Sequence, residues 1–131
     1  MIHILIAGRD RASLSVFKTA LEESDAQTTC RMSGHRALSA ASEDVFDLLV
    51  TDENLSDMTG LELIESVITS QPMLNCAVVS TLSSADFHEA SEGLGILMQL
   101  PAEPGKKEAD QLLEHLKKIQ SYTKSAAPRE T

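Results

Sequence analysis

A chain of 131 residues, 42% hydrophobic and 24% charged, is one domain by size and carries enough apolar material for a sizeable core. Its 20 acidic residues outweigh 11 basic ones, and the resulting formal charge of −9 disfavours direct nucleic-acid binding and favours basic or cationic partners. Aromatic residues make up only 3% and tryptophan is absent, so the core must be aliphatic and a binding surface built on aromatic stacking is disfavoured.

Residues 2–7, Ile-His-Ile-Leu-Ile-Ala, read as a first strand that ends at Gly8. This run is too short to span a membrane and lacks the basic flank and cleavage site of a secretory leader, so a cytoplasmic location is expected. Residues 12–24 follow as a helix, with Leu14, Phe17 and Leu21 at helical spacing on its inner face. A short second strand is expected over 27–32. After the Ser33-Gly34 turn, a second helix covers 35–42, with Ala37, Leu38 and Ala41 apolar.

The third strand is expected over 47–51, and a third helix over 60–70 with Leu61, Ile64 and Ile68 on one side. Pro72 helps to end that helix. A fourth strand covers 76–80 and a less strongly patterned helix 85–92. Gly93-Leu94-Gly95 lacks the spacing of a phosphate loop and reads as a helix end with a tight turn. The fifth strand, 96–100, stops at Pro101. The last helix, 108–122, has Leu112, Leu113, Leu116 and Ile119 on its apolar face, with an acidic start and a basic end that suit its dipole. From there the chain turns small and polar, which divides it into a domain over 1–122 and a tail or linker start over 123–131.

Five strands alternating with five helices imply a doubly wound five-stranded parallel sheet with helices on both faces. The flavodoxin-like order 2-1-3-4-5 is the natural one at this length. Cys30 and Cys76 both sit among apolar residues and are expected as buried, reduced thiols. His3, His35, His88 and His115 are scattered and lie outside metal-ligand spacing with Cys or Asp, so none is assigned a catalytic role.

The segment with the most chemistry is FDLLVTDENLSDMTGLEL, residues 46–63. Its apolar run closes at Asp52, at the carboxyl end of a buried strand, which is where open α/β sheets place their ligand crevice. Asp there is either a crevice carboxylate or the start of a turn or helix cap. The other residues expected at that edge are Gly8-Arg9-Asp10, Ser80-Thr81 and Leu100-Pro101. A carboxylate nucleophile that accepts a phosphoryl group is one use of such an Asp. Glu53 adds negative potential at the crevice mouth.

Residues 47–63 resemble the signature of receiver domains of two-component response regulators, of the chemotaxis-regulator type, with Ser56 where proline is usual; the likeness extends over residues 2–122. The resemblance implies that Asp52 is the phosphoacceptor and that the Asn54 carbonyl is a Mg2+ ligand. It further implies that the Ser80 hydroxyl follows the phosphoryl group and that Gly60 opens the third helix. It implies partners as well: a sensor histidine kinase or phosphotransfer protein, with an output domain or homodimer reached through helix four, strand five and helix five.

Four further positions depart from the family. The acidic pair that holds Mg2+ is replaced by Gly8 and Arg9, with Asp10 the only nearby acid. The lysine before the proline that follows strand five is replaced by Leu100, and the aromatic switch residue by Leu97. Phosphoryl transfer depends on neutralising anionic oxygens, and Mg2+ wants one or two carboxylates. A receiver with a weak or absent Mg2+ site (Asp52, Asn54, Asp10), impaired phosphorylation and Arg9 as a substitute charge is therefore expected. It would be no enzyme beyond self-phosphorylation on Asp52. Arg9 also suits phosphate well enough to cradle a phosphoryl group once formed. The alternatives are a phosphorylation-independent docking or dimerisation module and a small flavin-binding protein on the same fold. Flavin binding would call for a hydroxyl-rich loop after strand one, where this chain has Gly8-Arg9-Asp10-Arg11-Ala12-Ser13.

Overall fold

Parallel strands alternate with helices throughout the computed structural model, which describes residues 2–8 and 14–126. The strands are β1 Ile2–Ala7, β2 Ala26–Arg31, β3 Leu48–Asp52, β4 Asn75–Val79 and β5 Met98–Leu100. The helices are α1 Ser15–Glu23, α2 Gly34–Glu43, α3 Gly60–Ser70, α4 Ser84–Ala90 and α5 Lys106–Ala126. They form one five-stranded parallel sheet in the order β2-β1-β3-β4-β5. This is the expected doubly wound, flavodoxin-like topology.

Strand residues alternate between the two faces, and the core divides accordingly. Ile4, Ile6, Leu48, Val50, Ala77, Val79 and Leu100 pack under α1 and α5, against Phe17, Leu21, Leu112 and Leu116. Leu5, Ala7, Leu49, Cys76 and Val78 pack under α2, α3 and α4, against Ala37, Leu63, Ile64, Val67 and Phe87. The chain thus needs apolar residues at nearly every position of β1, β3 and β4, which is why those strands read as continuous apolar runs.

Several local expectations shift. β3 begins and ends one residue later than 47–51. Asp47 is not a strand residue but a tie between strands: its Oδ2 accepts from the His3 amide at 2.8 Å, and its own amide donates to the His3 carbonyl at 2.8 Å. The inner face of α3 is centred on Leu63, Ile64 and Val67, with Leu61 and Ile68 only half-buried at its rim. β5 is three residues long because Gly95 turns the chain in the left-handed region (φ 64°) and the strand ladder starts only at Met98. Gly93, also left-handed (φ 85°), precedes it, so the Gly93-Leu94-Gly95 segment is a turn as expected. α5 runs to Ala126, past the expected domain end at residue 122. The expected start of the first helix at Ala12 and the last five residues of the expected 123–131 tail lie outside the described residues.

Cys30 corrects the sequence reading. β2 is an edge strand bonded only to β1, and its outer end is exposed, so Cys30 is exposed rather than buried. Cys76 is buried on β4 as expected, and burial pushes its thiol up to about 12. Among the described residues, no helix is long and apolar enough to cross a membrane.

Candidate functional site

Strand register brings the carboxyl ends of the central strands level. Ala7 lies opposite Thr51, Thr51 opposite Val78, and Val78 opposite Gln99. One step further, Asp52 pairs with Val79, and Val79 with Leu100. The chain beyond these residues therefore emerges at one edge: Gly8 after β1, Glu53 after β3, Ser80 after β4 and Pro101 after β5. Asp52 is half-buried there as the last residue of β3. Arg9 and Asp10, expected as charge substitute and metal ligand, lie outside the described residues.

The loop after β3 is tightly built. The Leu55 amide donates to the Met58 carbonyl at 2.8 Å and the Gly60 amide to the Glu53 carbonyl at 2.9 Å, closing a small antiparallel bridge between Asn54 and Thr59. Both bonds come from flanking residues, so the bridge does not consume the Asn54 carbonyl. Thr59 and Glu62 then form a reciprocal capping box at the start of α3. Gly60 passes so close to β3 that a methyl group on it would overlap the Asp52 carbonyl oxygen.

Asp57, in the same loop, reaches across to α2. Its two oxygens accept the Gly34 amide at 2.7 Å and the His35 amide at 2.9 Å, two of the donors that a helix start leaves unsatisfied. These bonds, His35 first and Gly34 next, hold the Asp57 carboxyl below the usual range. A depressed folded value adds stability above the unfolded carboxylate range and loses it as pH falls through the folded value. Denaturant midpoints should stay level from about pH 7 to 5 and drop below about pH 4. Asp57→Ala should lower the plateau and remove its share of the acid drop; an unchanged acid limb would contradict this.

Across the crevice, Ser80 is buried at 4% exposure, and its amide donates to the Leu100 carbonyl at 2.9 Å. Its hydroxyl accepts the Leu82 amide at 3.2 Å and donates to Oε1 of Glu53 at 3.1 Å. The Thr81 amide and hydroxyl both donate to Oε2 of Glu53, each at 3.3 Å. From β5, Gln99 Nε2 donates to the Leu82 carbonyl at 2.8 Å and the Ser80 carbonyl at 3.4 Å. The β4–α4 loop is therefore held from two sides.

Leu100, where the resemblance calls for a lysine, is wholly buried in the cluster with Leu112 and Leu116 and brings no charge to the crevice. Leu97, at the aromatic switch position, is half-buried against the same cluster. Among the described residues, no three His, Cys, Asp or Glu side chains converge to hold a metal ion. Gly8 supplies no carboxylate at this edge.

The sequence reading placed Asp52, Asn54 and Ser80 at this edge, and the structure sets all three there. It missed the partners of the Ser80 loop. Glu53 was noted only as background charge, and its contact with Ser80 spans 27 residues. Gln99 carries a local signal, a lone amide inside an apolar strand run.

The response regulator receiver domain family matches residues 4–104, and the chain belongs to it. Solved structures with the same fold include the chemotaxis response regulator CheY4 of Vibrio cholerae, at 18% identity and TM-score 0.81, covering 88% of this chain and 98% of that one. A CheY-like receiver domain protein from Methanospirillum hungatei JF-1 matches at 22% identity and TM-score 0.82, covering 93% of this chain and 98% of that one. The non-phosphorylated HemR receiver domain from Leptospira biflexa matches at 22% identity and TM-score 0.78, covering 88% and 94%. No curated protein matches the chain. This is a receiver domain of two-component response regulators, a family that works with histidine kinases or phosphotransfer proteins.

Proposed function

We propose that this receiver has Asp52 as its phosphoacceptor position but is phosphorylated poorly or not at all, and that it acts chiefly as a docking module in two-component signalling. The observation that carries this reading is Leu100, packed in the core where the family supplies a cation to the phosphoryl oxygens. A phosphoryl group developing on Asp52 would lack that charge, and Gly8 offers Mg2+ no carboxylate. What metal binding remains would rest on Asp52, the Asn54 carbonyl and Asp10, with Arg9 as a counter-charge. The chain would have no turnover beyond self-phosphorylation.

The contact surface would be α4, β5 and α5, offered to a sensor kinase, a phosphotransfer protein, an output domain or a second copy. Labelling with acetyl phosphate at millimolar Mg2+ tests the reading. Wild type should label at least about tenfold more slowly than a receiver with the full acid pair and lysine, and Asp52→Asn should remove whatever labelling exists. Labelling at the ordinary rate would defeat it.

A further inference from the structure

We propose that Glu53 is a positioning residue. Its carboxylate holds the hydroxyls and amide of Ser80 and Thr81 and so sets the β4–α4 loop in the absence of any phosphoryl group. The proposal deepens the receiver reading, since its second half rests on Asp52 being the phosphoacceptor position.

The hydrogen-bond accounting carries it. A phosphoryl group on Asp52 needs donors from the β4 side of the crevice. Ser80 Oγ, Thr81 N and Thr81 Oγ1 are the donors there, and each already points at a Glu53 oxygen, at 3.1, 3.3 and 3.3 Å. The Ser80 hydroxyl is also fixed from behind by the Leu82 amide, so its proton has one direction to go. Ser80 is buried, and without Glu53 its hydroxyl would lose its acceptor. Gln99 holds the carbonyls of the same loop, leaving the donors to Glu53.

Two consequences follow. The loop is already drawn toward the β3 edge by an anion that belongs to the chain. A second anion, on Asp52, would have to displace Glu53 from these donors and would meet its like charge at the neighbouring residue. Glu53 thus presets the loop and opposes the phosphorylated state together.

Glu53→Ala and Glu53→Gln in the full chain test both consequences. In Glu53→Ala, hydrogen exchange at the Thr81 and Leu82 amides should quicken at least about tenfold while β1 and β3 keep their protection. Ser80→Ala should quicken Leu82 in the same way. Binding of beryllofluoride with Mg2+, read by 19F NMR, should tighten about tenfold or more in both Glu53 variants, because each removes the charge. A merely structural contact would not improve binding when cut.

Exchange within twofold of wild type in Glu53→Ala overturns the proposal, as does beryllofluoride affinity that is unchanged or weaker in both variants. If Glu53→Ala does not fold, Glu53→Gln decides by the binding readout and Ser80→Ala by exchange. If neither wild type nor any variant binds beryllofluoride, there is no phosphoryl state for Glu53 to oppose, that half of the proposal falls, and exchange alone decides whether Glu53 holds the loop.

Discussion

Gly60→Ala should cost the protein about 3 kcal/mol, near the upper end for overpacking a well-filled site. The added methyl would overlap the Asp52 carbonyl oxygen and crowd the Thr51 side chain, and both belong to a central strand bonded on each side. Backbone held in a ladder cannot yield as a side-chain tip can, so β3 or the start of α3 must move. Such a loss is a large part of the roughly 5–15 kcal/mol that stabilises a typical domain. It would also shift Asp52 itself. Gly34→Ala is the matched control. Gly34 occupies the same first helical position after a capping hydroxyl, but the three atoms nearest an added methyl there all belong to the flexible Met58 side chain. It should be near neutral, because the helix gain of about 0.5–1 kcal/mol offsets the repacking. Urea denaturation of the two variants checks the contrast, and equal losses would refute it.

Phe87→Ala should release α4 while leaving the rest of the sheet folded. The helix has seven residues, and Phe87 is its one buried side chain, packed into the cluster under α2 and α3. A helix this short does not persist in water by its own hydrogen bonds. Removing a buried phenyl ring costs about 3–5 kcal/mol, more than the Ser83 cap can return. Amide exchange across α4 should rise at least about a hundredfold, with β1, β3 and β4 still protected. Since α4 is part of the proposed contact face, partner binding should weaken in step. Retained protection in α4 would show that something other than Phe87 holds it.

The order of strands and helices was legible in the sequence because a parallel sheet covered on both faces leaves a plain record: apolar runs such as residues 48–50, punctuated by turns. Ends were less legible. Asp47 and Asp52 bracket β3, and sequence alone did not show that the first ties β1 through hydrogen bonds while the second completes the ladder. Gly34 and Gly60 look alike in sequence, each following a hydroxyl residue, and only the distance to β3 separates their roles. The Ser80 loop was the least legible part. Its two anchors come from the residue after β3 and from β5, and no local pattern pairs a glutamate with a serine across a whole helix and strand. The exposure of Cys30 depended on β2 lying at the edge, a fact of topology rather than of neighbouring residues.

That difference between the two cysteines gives the protein a natural attachment point. Burial holds the Cys76 thiol in its protonated, unreactive form, and it seals the sulfur from reagents as well. Cys30 faces solvent opposite Ile6, one register step from the end of β2. A maleimide dye or nitroxide added to the wild-type chain would go to that outer strand alone, and so would report on the sheet edge without any engineered residue.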